Sequence, residues 1–120
     1  MRFPTLQVIF AESALGWGPF LLEYADHQFE QDRVYLEGYD LKPSEIFKRQ
    51  CYLTGWYDPV AVHASYLPVD HILWATNFPT TTSTWPTSAA ALDRNLEGLT
   101  EEQRGLVQWG NAARLYREGS

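Results

Sequence analysis

The segment that decides the fold is Ile72-Leu73-Trp74-Ala75, followed by Thr76-Asn77-Phe78-Pro79 and, a little later, by Ser83-Thr84-Trp85-Pro86-Thr87-Ser88. A short, continuous apolar run predicts a strand that is covered on both faces. The proline, threonine and serine residues that follow predict a loop, because proline cannot continue a sheet ladder and hydroxyl side chains compete for backbone hydrogen bonds. Strands buried on both faces are typical of parallel sheets.

Two other runs have the same character, Leu6–Ala11 and Cys51–Thr54. Helical patterns lie between the three runs, and this alternation predicts a parallel α/β construction with right-handed crossovers. In the first crossover, Pro19 stands where a helix can begin, and the residues that we expect on its buried face are Leu21, Tyr24, Ala25 and Phe29.

The remaining helices are predicted from their capping residues. Asp58-Pro59 is a helix start, with Val60–Tyr66 as the helix, and Ser88 caps a helix through Leu96. Thr100 and Gln103 have the spacing of a capping box for a helix that ends at Trp109. Asn111 is then expected to cap a final helix.

Composition and charge limit the classes of protein to which the chain can belong. The chain has 120 residues, 45% of them hydrophobic, which predicts one packed domain over residues 1–120. A net charge of -6 argues against nucleic acid and anionic membranes as partners. The sequence has no long apolar run for a membrane span and no signal peptide after Met1, and its single cysteine suits a reducing compartment. We therefore expect a soluble, cytoplasmic protein.

Several pieces of the sequence, in this order and spacing, resemble the amidohydrolase-related (β/α)₈ barrels that include the aminocarboxymuconate-semialdehyde decarboxylase-like enzymes. The pieces are Phe3–Ser13, Gly16–Pro19, Lys42–Glu45, Trp74–Ser88 and Asn111–Tyr116. A whole barrel of this kind needs about 250 residues. The resemblance implies that the chain is a partial barrel whose three strands correspond to the last three βα units.

The resemblance also bears on cofactors. The intact family uses zinc or another divalent metal, and its last strand ends in an Asp-(Tyr/Phe)-Pro-His segment whose Asp binds that metal. Here the Asp position is Asn77 and the His position is Thr80. The family's His-x-His pair would lie on strands that this chain lacks, so we expect no metal site and no cofactor in the chain itself.

Glu12 is the first candidate catalytic residue. It follows the strand Leu6–Ala11 directly, and active sites of such folds lie at the carboxyl ends of strands. One branch of the family has Glu at this point. A carboxyl group with apolar neighbours can act as an acid or base, but a Glu that accepts backbone hydrogen bonds from a nearby loop fits the same position.

Asn77 is the second candidate, by its place in the family's motif. Its amide offers a neutral oxygen, which is a much poorer ligand for zinc or manganese than a carboxylate. The alternative is that Asn77 holds the turn after the strand through local hydrogen bonds.

The histidines and the cysteine are weaker candidates. His27, His63 and His71 lack the spacing of a metal pair, and Cys51 has no adjacent base, so a buried and inert thiol is expected.

Two classes of function remain open. The first is a truncated or divergent amidohydrolase-related hydrolase or lyase, in a family that hydrolyses or decarboxylates small carboxylated or cyclic substrates, and inactive as this chain alone. The second is a non-catalytic α/β interaction or scaffolding module descended from such an enzyme. A three-stranded piece of a barrel has open edges and an uncovered apolar face. We therefore expect either self-association or a partner chain that supplies the missing strands.

Overall fold

Three short parallel strands form the centre of the structure, a computed structural model that describes residues 3–117. They are β1 (Val8–Phe10), β2 (Cys51–Gly55) and β3 (Ile72–Trp74), in the order β1-β2-β3. Val8 pairs with Cys51, and Leu53 pairs with Ile72. The predicted α/β class, with three parallel strands and flanking helices as in a partial barrel, is confirmed.

The first strand is shorter than the predicted run Leu6–Ala11 for a local reason. The side-chain amide of Gln50 donates to the carbonyl oxygens of Phe3 and Leu6, at 2.6 and 2.7 Å. A side chain therefore satisfies backbone groups that a longer strand would have used in the ladder.

In the described part of the chain, six α-helices surround the sheet. They are α1 (Trp17–Gln31), α2 (Pro43–Gln50), α3 (Val60–His63), α4 (Ser88–Asn95), α5 (Glu101–Gly105) and α6 (Asn111–Arg117). Short 3₁₀ turns cover Val34–Glu37 and Val69–His71, and a π-helical turn, Leu106–Gly110, joins α5 to α6. No helix among residues 3–117 combines the length and the apolar character needed to cross a membrane.

The buried face of α1 differs from the prediction. Its buried residues are Gly18, Leu22 and Phe29, whereas Leu21 and Tyr24 are exposed. A Cβ atom at position 18 would lie 3.0 Å from Leu67 Cδ2, in the segment after α3, and 3.4 Å from Leu53 Cδ2 of β2, so the glycine lets the helix approach both closely. This close approach rotates the buried stripe away from the face that periodicity alone suggested.

The core lies between the sheet and the helices. Leu53 of β2 and Ile72 of β3 are 0% and 1% exposed, and they pack with residues from the helices and loops. The other buried members of this cluster are Leu15, Leu22, Phe47, Val60, Leu67, Leu96 and Val107. Phe10, Trp17 and Phe47 add an aromatic cluster with ring centroids 5.2 to 6.1 Å apart.

The sequence predicts an apolar sheet face without cover, but no residue of the three strands is exposed. Every residue of β1, β2 and β3 is buried or half-buried, and the ring of His71 stacks on Tyr52 with centroids 4.3 Å apart. The large apolar side chains that are exposed belong instead to helices and loops, Phe20 at 71% and Trp85 at 65% among them.

The C-terminal helices form one continuous run. The capping box at Thr100 and Gln103 is confirmed, with reciprocal bonds of 3.2 and 3.0 Å. Asn111 is not a cap, because the helical run passes through it without a break. Its side chain is fully buried and its Nδ2 donates to the carbonyl oxygens of Val69 and Ile72, each at 2.8 Å.

The Asn111→Ala variant should unfold at lower denaturant concentration than the original chain. Removing the amide takes one donor from each carbonyl, of which that of Val69 keeps its bond from Ile72 N. It also opens a small cavity, and together these changes should lower the free energy of unfolding by about 2–3 kcal/mol. Urea unfolding followed by circular dichroism measures this, with Gln108→Ala, a change on the exposed side of the same run, as the control. Equal midpoints for the two variants would contradict the role given to Asn111.

Candidate functional site at the carboxyl ends of the strands

The carboxyl ends of the three strands meet at one edge of the sheet. The segments that leave this edge carry Glu12 after β1, Asp58 after β2 and Asn77 after β3. Because β2 lies between the other two strands, the ends of β1 and β3 are roughly 10 Å apart. Glu12 and Asn77 thus share an edge, and no hydrogen bond joins them in residues 3–117.

Glu12 is held by its backbone. Its N–H donates to Thr54 Oγ1 at 2.7 Å, and its φ of 53° is in the left-handed region that non-glycine residues rarely adopt. The residue is exposed, and its carboxylate accepts no hydrogen bond from the rest of residues 3–117. The alternative in which this carboxylate accepts backbone hydrogen bonds is therefore not what the structure shows, and the carboxylate is free to meet another group.

Asp58 is a site residue that the sequence did not reveal. It is 4% exposed, and its Oδ1 accepts a hydrogen bond from Leu15 N at 2.9 Å, across 43 residues of sequence. The predicted cap is wrong, because Pro59 occupies the N-cap position of α3 and Asp58 is turned toward the loop after β1. A single sequence carries no signal for such a long-range bond.

The second oxygen of Asp58 is confined. Oδ2 is buried and has no hydrogen-bond partner within the described part of the chain. A Cβ atom at Gly55 would lie 2.9 Å from this oxygen, so a glycine at the end of β2 is what makes room for the carboxylate.

Asn77 organises the turn after β3. Its φ is 59°, its Nδ2 donates to Thr82 Oγ1 at 2.8 Å, and its carbonyl oxygen accepts from Thr80 N at 3.0 Å and from Thr80 Oγ1 at 2.7 Å. Asparagine tolerates this left-handed conformation better than most residues. Its Oδ1 is buried without a partner in residues 3–117. The side chain thus supports the loop and has one neutral oxygen left over.

Within residues 3–117 no histidine or cysteine makes a hydrogen bond to Glu12, Asp58 or Asn77, although His63 lies beside Gly16 of the loop after β1. His27 is exposed on α1, His63 is in α3, and His71 lies before β3 with its Nδ1 3.1 Å from Asp70 Oδ1. Cys51 begins β2, and burial raises the pKa of its thiol. A raised pKa keeps the thiol protonated at neutral pH, which disfavours a nucleophilic role.

The residues of this edge do not fit the metal that the fold family implies. Within residues 3–117, no group of three His, Cys, Asp or Glu side chains is arranged to hold an ion. Glu12 would supply one exposed carboxylate, Asp58 one buried carboxylate oxygen and Asn77 one neutral oxygen, from the ends of three different strands. Zinc sites in proteins take three or four strong ligands, so no chemical step through a metal follows from this chain.

Comparison with known proteins identifies the family. The profile of the family described as Amidohydrolase matches residues 1–117, nearly the whole chain. The chain belongs to the amidohydrolase family. A search of curated proteins gives no significant match.

Solved structures of this amidohydrolase fold match over most of the chain. The 5-carboxyvanillate decarboxylase from Sphingomonas paucimobilis is 26% identical, with a TM-score of 0.75, over 97% of this chain and 35% of that one. An amidohydrolase from Mycobacterium avium subsp. paratuberculosis is 19% identical, with a TM-score of 0.82, over 95% of this chain and 29% of that one.

A third match contains a metal. The dihydroxybenzoic acid decarboxylase from Polaromonas sp. JS666, solved with bound manganese and the inhibitor 2-nitroresorcinol, is 20% identical, with a TM-score of 0.68, over 99% of this chain and 36% of that one. The chain therefore spans about a third of the length of each of these three structures.

Thr54→Val should loosen the loop that carries Glu12. The change removes the hydroxyl that accepts from Glu12 N, and we expect the free energy of unfolding to fall by about 1 kcal/mol. Amide hydrogen exchange at Glu12 should become faster, while Thr54→Ser, which keeps the hydroxyl, should leave it unchanged. Equal exchange in the two variants would show that the loop is held by other contacts.

Proposed function

We propose that this chain is an incomplete, divergent member of the amidohydrolase-related group and does not catalyse the group's reaction by itself. It spans about a third of the decarboxylases that it matches. When completed, the site would belong to enzymes that hydrolyse or decarboxylate small carboxylated or cyclic substrates. In this proposal residues 1–120 are equivalent to the last three βα units of the barrel.

The observation that carries this proposal is the set of hydrogen bonds that Asn77 makes. The resemblance puts a metal-binding Asp at this position. The side-chain Nδ2 of Asn77 donates to Thr82, and its backbone carbonyl oxygen accepts from Thr80. The side-chain oxygen Oδ1, which is neutral, is the atom that remains without a partner in the described residues. A neutral oxygen cannot replace the charge of a carboxylate on a divalent ion, and it cannot take a proton from a bound water.

Glu12 is the residue of this chain that we propose for acid or base chemistry in a completed site. Its carboxylate is exposed beyond β1, and its backbone is fixed by the bond to Thr54. A general base must lie within hydrogen-bond reach of the proton that it takes. The fixed backbone of Glu12 and its carboxylate without a hydrogen-bond partner suit such a position.

We also propose that the chain associates with itself or with a chain that carries the missing strands. Its accessible surface is 7909 Å², whereas a monomer of 13.8 kDa exposes about 6,600 Å². Its radius of gyration is 15.7 Å, against about 14 Å for a compact domain of this length. β1 and β3 are edge strands of the three-stranded sheet, and such edges favour pairing with another chain.

A second candidate function is a non-catalytic interaction or scaffolding module. The exposed aromatic side chains favour it, including Phe20 and Tyr24, which stack at 6.2 Å on α1, and the pair Phe78 and Trp85 at 5.7 Å. Exposed apolar patches often mark interaction surfaces. A cytoplasmic location is part of both proposals, since the single cysteine suits a reducing compartment.

The Asn77→Asp variant tests the metal argument. If the missing ligands are what prevents metal binding, restoring the carboxylate should bring neither zinc nor manganese binding in titration calorimetry. The added charge should cost about 0.5–2 kcal/mol of stability. Gln108→Glu, which adds the same charge on an exposed helix position, is the control. Stoichiometric metal uptake by the Asp variant would overturn the proposal of an incomplete site.

Light scattering tests the association. At micromolar concentration the mass should exceed that of the 13.8 kDa monomer, either for the pure chain or after purification with a co-expressed complementary chain. A clean monomer in both cases, at several salt concentrations, would contradict it.

A further inference from the structure

A cavity of about 490 Å³ lies between the end of α1, the 3₁₀ turn Val34–Glu37 and the start of α2. Its lining is made of aromatic and charged side chains, and none of Glu12, Asp58 and Asn77 belongs to it. The cavity is therefore separate from the edge that carries the candidate catalytic residues, because it is built from helices and the turn between them.

Three aromatic rings line this cavity. Phe29, near the end of α1, is 8% exposed, and its ring centroid lies 6.3 Å from that of Tyr35 with the two planes at 50°. Tyr39 adds a third ring after the turn, and Tyr35 and Tyr39 are 50% and 58% exposed. The face of an aromatic ring carries negative partial charge, so inclined rings around a cavity favour a cation.

Carboxylates outnumber cations in the same lining. The three carboxyl groups come from Glu30, Asp40 and Glu45. Lys42 is the basic side chain of the lining, and its Nζ is paired with Glu30. The Glu45 carboxylate accepts from the backbone N–H of Lys42 at 2.8 Å, whereas Asp40 is exposed and has no hydrogen bond or ion pair within residues 3–117. The lining therefore has a net negative charge.

The pKa of Lys42 indicates that positive charge is favoured at this place. The hydrogen bond to Glu30 and the charge of that carboxylate raise the pKa of the Lys42 amine. The charges of Asp26 and Glu45 add to this effect, while desolvation acts against it. A raised pKa means that the surrounding groups stabilise the charged form of the amine. The same carboxylates act on any other cation that enters the cavity.

The rings and the carboxylates together select one kind of cation. Ring faces attract positive charge, but they cannot replace the hydrogen bonds that water gives to sodium or to a primary ammonium group. A quaternary ammonium ion has no N–H groups to satisfy, so it loses less when it leaves water for an aromatic surface. We infer that this cavity is a binding site for a small quaternary ammonium ion, held by the rings of Phe29, Tyr35 and Tyr39 and by the carboxylate of Asp40.

The site is one of binding alone. None of its side chains belongs to the proposed catalytic edge, so the inference goes beyond the proposed function and does not depend on it. A volume of about 490 Å³ is within the range of small-molecule sites.

Choline is the probe for the experiment, titrated into the full chain while nitrogen–proton correlation spectra follow the backbone amides of Tyr35 and Tyr39. These amide signals should shift in a saturable way. The neutral alcohol in which a carbon atom replaces the nitrogen of choline has the same shape without the charge, and it should leave the signals unchanged at the same concentrations. Sodium chloride at equal ionic strength is the reference, because salt screens exposed charges.

Three changes in the lining have different expected effects. Tyr39→Ala removes a ring and should weaken choline binding about fivefold, whereas Tyr39→Phe keeps the ring and should bind as the original chain does. Asp40→Asn removes the unpaired charge and should weaken binding by a similar factor. Lys42→Gln should strengthen binding, because it removes the competing ammonium group and frees the carboxylate of Glu30.

Tyr116→Ala on α6 and Lys48→Gln on α2 are the matched controls, since both residues are exposed and lie outside the lining. The inference is overturned if choline gives no saturable shift, if the neutral alcohol binds equally, or if a control variant changes binding as much as its partner in the lining does. Unchanged binding by Tyr39→Ala or by Lys42→Gln would also overturn it. Circular dichroism checks the fold of each variant, and if Tyr39→Ala unfolds, the change at the exposed Asp40 decides the result.

Discussion

The side-chain amide of Asn111 donates to the carbonyl oxygens of Val69 and Ile72, and this pair of bonds decides where the C-terminal helices lie. The Val69 carbonyl belongs to the turn before β3, and that of Ile72 belongs to the buried first residue of the strand, where backbone groups need partners from the protein. The amide brings the helical run 101–117 against the sheet, and Val107 and Leu96 then complete the core. The other polar contact of this run with the turn before β3 is made by Arg114, whose Nη2 donates to the carbonyl oxygen of Asp70 at 2.6 Å.

Two further side chains tie the loop after β1 to β2. Thr54 Oγ1 accepts from Glu12 N, and Asp58 Oδ1 accepts from Leu15 N. Both acceptors come from the second strand or the segment that follows it, so the position of Glu12 is set by its neighbour in the sheet. Two hydrogen bonds therefore hold the loop after β1 against β2 and the segment after it, in a chain that spans about a third of the related decarboxylase structures.

Sequence reasoning located the strands and the family, because apolar runs and ordered motifs are local signals. It located Asn77 and Glu12 for the same reason. It missed Asp58 and misjudged Asn111, since the partners of these buried polar groups are 39 to 43 residues away and depend on how the elements pack. The face of α1 was misjudged because Gly18 allows a close approach that hydrophobic periodicity does not describe.

The π-helical turn Leu106–Gly110 sets the phase of the last helix. A π turn holds an extra residue relative to an α turn, and each residue of an α-helix accounts for about 100° of rotation. A natural variant that lost a residue here would regain regular α-helical bonding, yet it would swing Asn111 away from Val69 and Ile72. Insertions and deletions should thus be selected against in this segment, even though its neighbours Gln108 and Trp109 are exposed.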